Sequence, residues 1–340
     1  MARVSEFIPK SLSLGNIIQH ASLGMLPIRD GEAVHEFAAV VLLDEALEQG
    51  WAEITETDEA GQVPFLRIKN RGQAPILVLD GEELKGGKQN RIVNASILVL
   101  AGMTLTMPVS CMEAGRWRAK RKDFEAAKAV FPAMSRRRHK ESVTVSLRHN
   151  RGYFSDQHAV WDEVACRLTE AGARSATQDF QEARNRADGL MEEYVEKLKP
   201  ESNQVGAIFF GPQGLLGGEL LGSENLFQKA FPKILKSFAF EVLYRPPNPP
   251  SAFEKAADWW RGVLHSSAMI FPSPGAGNDL RVDSAEFIGS GLVWSERLLH
   301  FSCFPGDSNQ KDCLLERTTR RASVSERKRR MGQRNRNGGS

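Results

Sequence analysis

Apolar residues in the first hundred positions come in short runs, alternating or β-branched, each bounded by Gly, Asn, Asp or Pro. That pattern predicts strands over Asn16–His20, Leu23–Pro27, Ala38–Leu43, Ala52–Glu56, Phe65–Lys69, Ile76–Leu79, Arg91–Leu100 and Thr104–Ser110. A short helix, Asp44–Gln49, interrupts them and stops at Gly50. The joins are too short for helical crossovers, so the strands pair antiparallel. Helical spacing then takes over, predicting helices Asp123–Arg138, Asp156–Gly172 with Ser155 as its N-cap, and Ala176–Leu198. SRRRHK, Ser135–Lys140, reads as a basic patch at a helix end. From Gln204 the pattern changes again. QVGAIFF and LLGGELL form a hairpin about GPQG, and a helix Glu224–Tyr244 follows, with Pro232 as boundary or kink. RPPNPP, Arg245–Pro250, is a stiff linker before a helix Ala252–Leu264, and DLRVDSAEFIGSGLVW and RLLHFSCF close as strands.

Strands, then helices, then a mixture define an α+β fold. Its antiparallel, β-rich part spans 8–112, its helical middle 120–200 and its mixed α/β part 204–305, all within one domain, 1–305. No internal repeat is evident. The composition, 41% hydrophobic and 26% charged, is that of an ordinary globular chain. No run of 18 apolar residues reads as a membrane span, and the N-terminus lacks the apolar stretch of a secretory signal. Four scattered cysteines without a CxxC pair suit a reducing cytoplasm better than a disulfide framework or a zinc site, and no histidine pair has metal-ligand spacing. No metal centre is expected on these grounds.

The net charge of +3 hides an asymmetry. From Arg317 onward there are nine Arg or Lys and one acid, so residues 1–316, with 36 bases against 41 acids, carry −5. Residues 306–340 read as a disordered basic tail, which either contacts a nucleic acid or other polyanion or is a solvated extension.

DGEELKGGKQNR, Asp80–Arg91, is far richer in charge than a hairpin needs. Chain alternation in a meander brings it to the same strand ends as PVSCMEAGRWR, Pro108–Arg118, so the two polar segments converge on one rim. Gly86-Gly87 permits close approach of another group. Lys85, Lys88 and Arg91 are cationic, and Asp80, Glu82, Glu83 and Glu113 are acceptors. Arg116 offers a planar fork and Trp117 a stacking surface. These are the parts a nucleotide-like ligand needs, although neither a P-loop nor GxGxxG is present. Structural readings stand beside this one. Glu82, Glu83 and Lys85 also read as solvated hairpin ions, Cys111 as a small buried hydrophobe, and Trp161, Met103 and Met107 as core.

LDGEELKGGKQNRIVNASILVLAG, MPVSCMEAGRW and SDQHAVWDEV, in this order, resemble the domain family named for its association with ADP-ribosylglycohydrolases and rhodanese-phosphatases. Gln204–Ala207 and Arg297–Pro305 also fit, and the resemblance covers roughly residues 8–305. Gly87 stands where many members have Ala. The resemblance points to Asp80, Gly81, Glu82, Glu83, Gly86, Lys88, Gln89, Asn90 and Arg91. It adds Ser110, Cys111, Glu113, Gly115, Arg116 and Trp117, then Asp156, Gln157, Trp161 and Asp162. It implies a role in NAD or ADP-ribose metabolism, without assigning a catalytic residue. Three readings follow. One is a binding or sensing protein for an NAD-derived or ADP-ribose-like nucleotide, with Lys88 and Arg116 on phosphate, Glu82 or Glu113 on ribose and Trp117 stacking. Another is a hydrolase on such a molecule, with Glu83 or Glu113 as acid or base or as ligand to a divalent cation. The third is an interaction module acting through the basic tail.

Overall fold

The computed structural model describes residues 2–32, 37, 39–57, 64–116, 123–245, 248–250 and 253–306. Trp117, Pro246, Pro247 and the tail from residue 307 lie outside them. Met1–Pro305 forms one compact unit. The described residues build an α+β fold of three sheets and six α-helices. The helices are α1 (Leu43–Glu48), α2 (Ala133–Arg148), α3 (Gln157–Glu170), α4 (Gln181–Lys197), α5 (Glu224–Leu243) and α6 (Phe253–His265).

The largest sheet has ten strands, all paired antiparallel, and at its centre Arg297–Pro305 lies between Phe287–Trp294 and Gly214–Leu221. The second runs in the order Phe124–Val130, Glu82–Gly86, Arg91–Val93, Thr104–Cys111, Phe65–Asn70, Ala52–Glu56. A three-stranded sheet joins Ile97–Val99, Ile76–Val78 and Val41–Leu42, the last pair being parallel. The main core gathers α2, α3, α4 and α5 against the ten-stranded sheet, with Phe209 and Phe238 stacked at 4.1 Å. Two smaller cores lie beneath α6 and inside the six-stranded sheet.

Three differences from the sequence expectation have clear causes. The single strand expected over Arg91–Leu100 is split between two sheets, because Asn94 and Ser96 turn their side chains to buried partners. Asn94 donates to the Tyr153 carbonyl at 2.8 Å, and Ser96 Oγ lies 2.6 Å from His300 Nδ1. The helix expected from Asp123 begins only at Ala133. Phe124–Val130 is instead a strand paired with Glu82–Gly86, and Pro132, unable to donate a backbone hydrogen bond, stands at the N-cap of α2. The N-cap of α3 is Asp156 rather than Ser155, its carboxylate accepting from the amides of His158 and Ala159. Pro232 sits inside α5 without ending it. The strand Ser267–Pro272 was missing from the sequence expectation. Met107 is buried core, Met103 packs at its edge, and Trp161 is half-buried beside His158.

Among the described residues no helix is long and apolar enough to cross a membrane.

Candidate functional site

The two signature segments meet as strand alternation requires. Arg91 pairs with Cys111 and Ile92 with Ser110 across adjacent antiparallel strands, and Gln89 Nε2 donates to the Glu113 carbonyl at 2.9 Å. The expected rim is, however, an interior junction. Of the described residues singled out in the two segments as candidate catalytic or ligand-binding groups, all are buried except Lys85 and Lys88, which are half-buried. The cause is tertiary: Phe124–Val130 covers one edge of the hairpin, while α2, α4 and α5 lay charged partners over it.

Each acid of DGEEL has its own partner. Glu83 is gripped by the Arg184 guanidinium and accepts from Gln181 Nε2 at 2.7 Å, both groups coming from the first turn of α4. Glu82 accepts from Lys233 of α5 at 2.7 Å and from the Leu79 amide at 3.0 Å. Burial pushes its carboxyl up despite the ammonium. In the second segment Glu113 Oε1 accepts from Thr177 at 2.8 Å. Its Oε2 accepts from Arg116 Nε at 2.8 Å and from the Asn90 amide at 3.4 Å. Arg116 also donates to the Gly87 carbonyl at 2.8 Å and to Asn90 Oδ1 at 3.3 Å. Asn90 closes the hairpin, accepting from the Gly86 amide at 3.1 Å and donating to Asp179 at 2.9 Å. Gly86, at φ +143°, is required by contact: a Cβ would lie 2.3 Å from the Asp123 carbonyl oxygen.

Asp80 enters a larger network that the sequence reading missed. SRRRHK is not an exposed patch but the first half of α2, with Arg136, His139 and Lys140 buried. Arg136 and Lys140, four residues apart, share one helix face. Lys140 Nζ is ion-paired with Asp80 and donates to Ser290 at 2.7 Å. Arg136 forks onto Glu219 at 2.8 and 3.0 Å and lies 3.5 Å from Asp80. His300 bridges Glu219, at 2.8 Å, and Ser96. Sheet register explains the assembly: Arg281, Ser290, Ser302 and Glu219 form one cross-strand row over four neighbouring strands. Gly81, at φ +77°, lets Arg136 pass, since a Cβ there would lie 2.9 Å from Arg136 Cγ. Burial raises the Asp80 carboxyl, but Lys140, Arg136 and His300 outweigh it and hold it well below the usual range. Burial brings Lys140 down to about 8, against the pull of Asp80. A lone acid in LLGGELL and a lone histidine in RLLHFSCF, both on core strands, were the available signals, because a buried charge demands a partner.

Cys111 lies between Arg91 and the DQ segment. Its thiol accepts from Arg91 Nη1 at 2.6 Å, and burial pushes it up to about 11 despite the guanidinium, so it stays protonated near neutrality. The third signature segment acts on its backbone. Gln157 accepts from the Cys111 amide at 2.8 Å and donates to its carbonyl at 2.7 Å, standing in for a missing neighbour strand. Gln157→Leu is therefore expected to cost about 1–3 kcal/mol and to accelerate hydrogen exchange at the Cys111 amide. Unchanged protection there would remove this role.

At the outer end of the same strand pair, Lys88 N donates to Glu56 Oε1 at 3.2 Å, and Arg91 Nη2 lies 3.9 Å from that oxygen. Glu56 Oε2, Thr57 Oγ1 and Arg91 Nε are shielded from solvent and have no hydrogen-bond partner. Among the described residues no three His, Cys, Asp or Glu side chains gather as a cation site.

This is an α+β domain whose signature polar residues are folded inward and internally neutralised. The chain belongs to the ARG and Rhodanese-Phosphatase-superfamily-associated Protein (ARPP-1) domain family, whose model matches residues 11–304. The family is a domain associated with ADP-ribose glycohydrolase and rhodanese-phosphatase systems. No curated protein and no solved structure gives a match to the chain.

Proposed function

We propose that the chain binds or senses a small nucleotide-like ligand of the NAD or ADP-ribose class at the corner formed by Glu56, Thr57, Lys88 and Arg91. The observation that carries this reading is the set of partnerless groups there: an acceptor, Glu56 Oε2, a donor, Arg91 Nε, and the Thr57 hydroxyl, which can do either. Buried polar atoms in native proteins are almost always satisfied. A ligand group that both donates and accepts satisfies both kinds, as the vicinal hydroxyls of a ribose do. Family association with ADP-ribose glycohydrolase systems supports the same class.

In this reading Glu82, Gly86, Gln89, Asn90, Cys111 and Arg116 build and hold the corner rather than touch the ligand, while Asp80 and Ser110 face α2, away from it. The hydrolase reading gains less from the geometry. A general acid or base must reach its substrate with a free oxygen, whereas both oxygens of Glu83 and of Glu113 are occupied by internal donors. The reading through the basic tail turns on residues outside those described, as does stacking by Trp117.

The test is a thermal-shift panel with NAD, ADP-ribose, nicotinamide and ADP, using the wild type and Glu56→Gln. A ribose-bearing ligand is expected to raise the wild-type Tm progressively with concentration above its Kd, since a ligand that binds only the native state stabilises it by RT ln(1 + [L]/Kd). Glu56→Gln should lose most of that rise while keeping its ligand-free Tm. No shift with any of the four at millimolar concentration would sink the proposal. Consumption of a ligand in the same wells would restore the hydrolase reading.

A further inference from the structure

Strand Thr104–Cys111 separates two polar regions, because successive side chains point to opposite faces. Cys111 faces Arg91. Its neighbour Ser110 faces α2, where Ser110 Oγ lies 3.4 Å from His139 Nε2 and 2.6 Å from Ser155 Oγ. On that side lies Arg281, a fully buried side chain on Asn278–Asp283 at 0% exposure. Its Nε donates to Asp279 at 2.7 Å, and its guanidinium carbon stands 5.7 Å from the Tyr153 ring centroid. Nη1 and Nη2, which carry four N–H protons between them, have no partner at all. No other side chain among the described residues leaves so many buried donors idle.

The surroundings suit an incoming anion. His139 and Lys140 both lie close enough to feel the Arg281 charge. Asp279, the carboxylate on Arg281, is pushed up by burial although Arg281 pulls it down. Tyr153 forms a roof that is tied at two points: its carbonyl accepts from Asn94 at 2.8 Å and its hydroxyl donates to the Pro272 carbonyl at 2.7 Å. The tied segment is short and lies between α2 and α3, with Gly152 at φ +83°.

We propose that Arg281 is the floor of an oxyanion site that takes a phosphate or carboxylate group of a small ligand on Nη1 and Nη2, beneath Tyr153. Two amino groups on one planar guanidinium match two oxygens of such a group, which makes this fork a better receptor than a point charge. His139, close enough to feel the Arg281 charge, carries the Ser110 and Ser155 hydroxyls behind it as further hydrogen-bonding groups. The site lies on the opposite face of Thr104–Cys111 from the Glu56 corner, so the two proposals fail independently.

The experiment titrates the full chain with inorganic phosphate, with acetate, and with sodium chloride at matched ionic strength, following Tm and binding heat. Phosphate or acetate is expected to give a saturable binding heat and to raise Tm, by roughly 5 °C at a hundredfold excess over Kd, with neither effect in chloride. Whichever of phosphate and acetate binds more tightly identifies the group. Arg281→Met should weaken that binding at least about tenfold, and Glu56→Gln should leave it unchanged. If Arg281→Met does not fold, Arg281→Lys keeps a charge beside Asp279, loses the fork, and carries the same expected loss. A wild type that shows no saturable response to either anion, or an Arg281 variant that binds as the wild type does, overturns the proposal.

Discussion

Arg136→Met is expected to cost about 3–5 kcal/mol of unfolding free energy, a large share of the roughly 5–15 kcal/mol that holds an ordinary domain together. The side chain is buried, forks onto Glu219 and flanks Asp80. It also lies 5.5 Å from the Phe304 ring centroid. Methionine fills much of the same volume, so the loss measures stranded charge more than a cavity. Glu219 would be left with the His300 ring as its side-chain hydrogen-bond partner, in surroundings where an unpaired carboxylate is far more costly than in water. The second half of the prediction is a rescue. Adding Glu219→Gln removes the stranded charge while keeping an acceptor for His300, so the double variant should recover part of the loss. Urea unfolding of the wild type, the two single variants and the double variant gives the cycle. Strictly additive losses would show that Arg136 and Glu219 are not energetically coupled and would refute the network as described.

The second large effect concerns pH. His139 is buried and held down to about 3, burial being the main cause, with Lys140, Arg281 and Arg136 adding to it and Asp80 opposing. Its folded value thus lies below its ordinary value of 6.5, and the native state prefers the neutral ring. The stability this confers is fully present above about pH 6.5 and is lost as pH falls toward about 3, where the unfolded chain is protonated and the native chain is not. From pH 7 to pH 5 the loss from this group is about 2 kcal/mol. His139→Gln, which keeps a hydrogen-bonding group near Ser110, should flatten that part of the profile. Equal slopes for wild type and variant between pH 7 and 5 would remove His139 as the cause. Asp80 contributes at lower pH, since its carboxyl is held below the usual 3.8 and its stabilisation is lost only as that group is protonated. Lys140 works at the other end. Its value of about 8 lies below the ordinary 10.5, so stability rises with pH through that interval.

The sequence was most legible where structure is local. The hairpin Gln204–Gly211 and Gly214–Leu221, the strand Ala52–Glu56 and the helices after Asp156 lie within a few residues of where periodicity and turn chemistry put them. The meeting of DGEELKGGKQNR with PVSCMEAGRW was also legible, since strand alternation alone demands it. Burial was not. Six polar residues in a row, Ser135–Lys140, read as a basic patch at a helix end because nothing local tells a helix which of its charges will be covered. The partners of Lys140 and Arg136 lie 60 and 83 residues away in sequence, at Asp80 and Glu219. Phe124–Val130 illustrates the same limit: DFEAAKAV has good helix formers, and only pairing with Glu82–Gly86 makes it a strand. Acids that seemed placed to meet a ligand thus proved to be neutralised from within. Partnerless atoms occur within that network, at Arg136 Nε, Gln181 Oε1 and Arg184 Nη1, and also outward at Glu56 and Thr57, across the strand pair at Arg91 Nε, and on the far face at Arg281.

The position of Arg297–Pro305 has a consequence for how the chain reaches this structure. It is the last described strand in sequence, yet it sits at the centre of the ten-stranded sheet and supplies His300 and Ser302 to Asp80 and Glu219. During synthesis, the signature hairpin emerges more than two hundred residues before Ser302, which lies 222 positions beyond Asp80. Until then Asp80 lacks its partner Ser302, and Glu219, once made, lacks His300. The sheet is therefore completed by the last hairpin of the domain, Phe287–Trp294 with Arg297–Pro305, and its assembly depends on distant contacts of the kind that make folding slow.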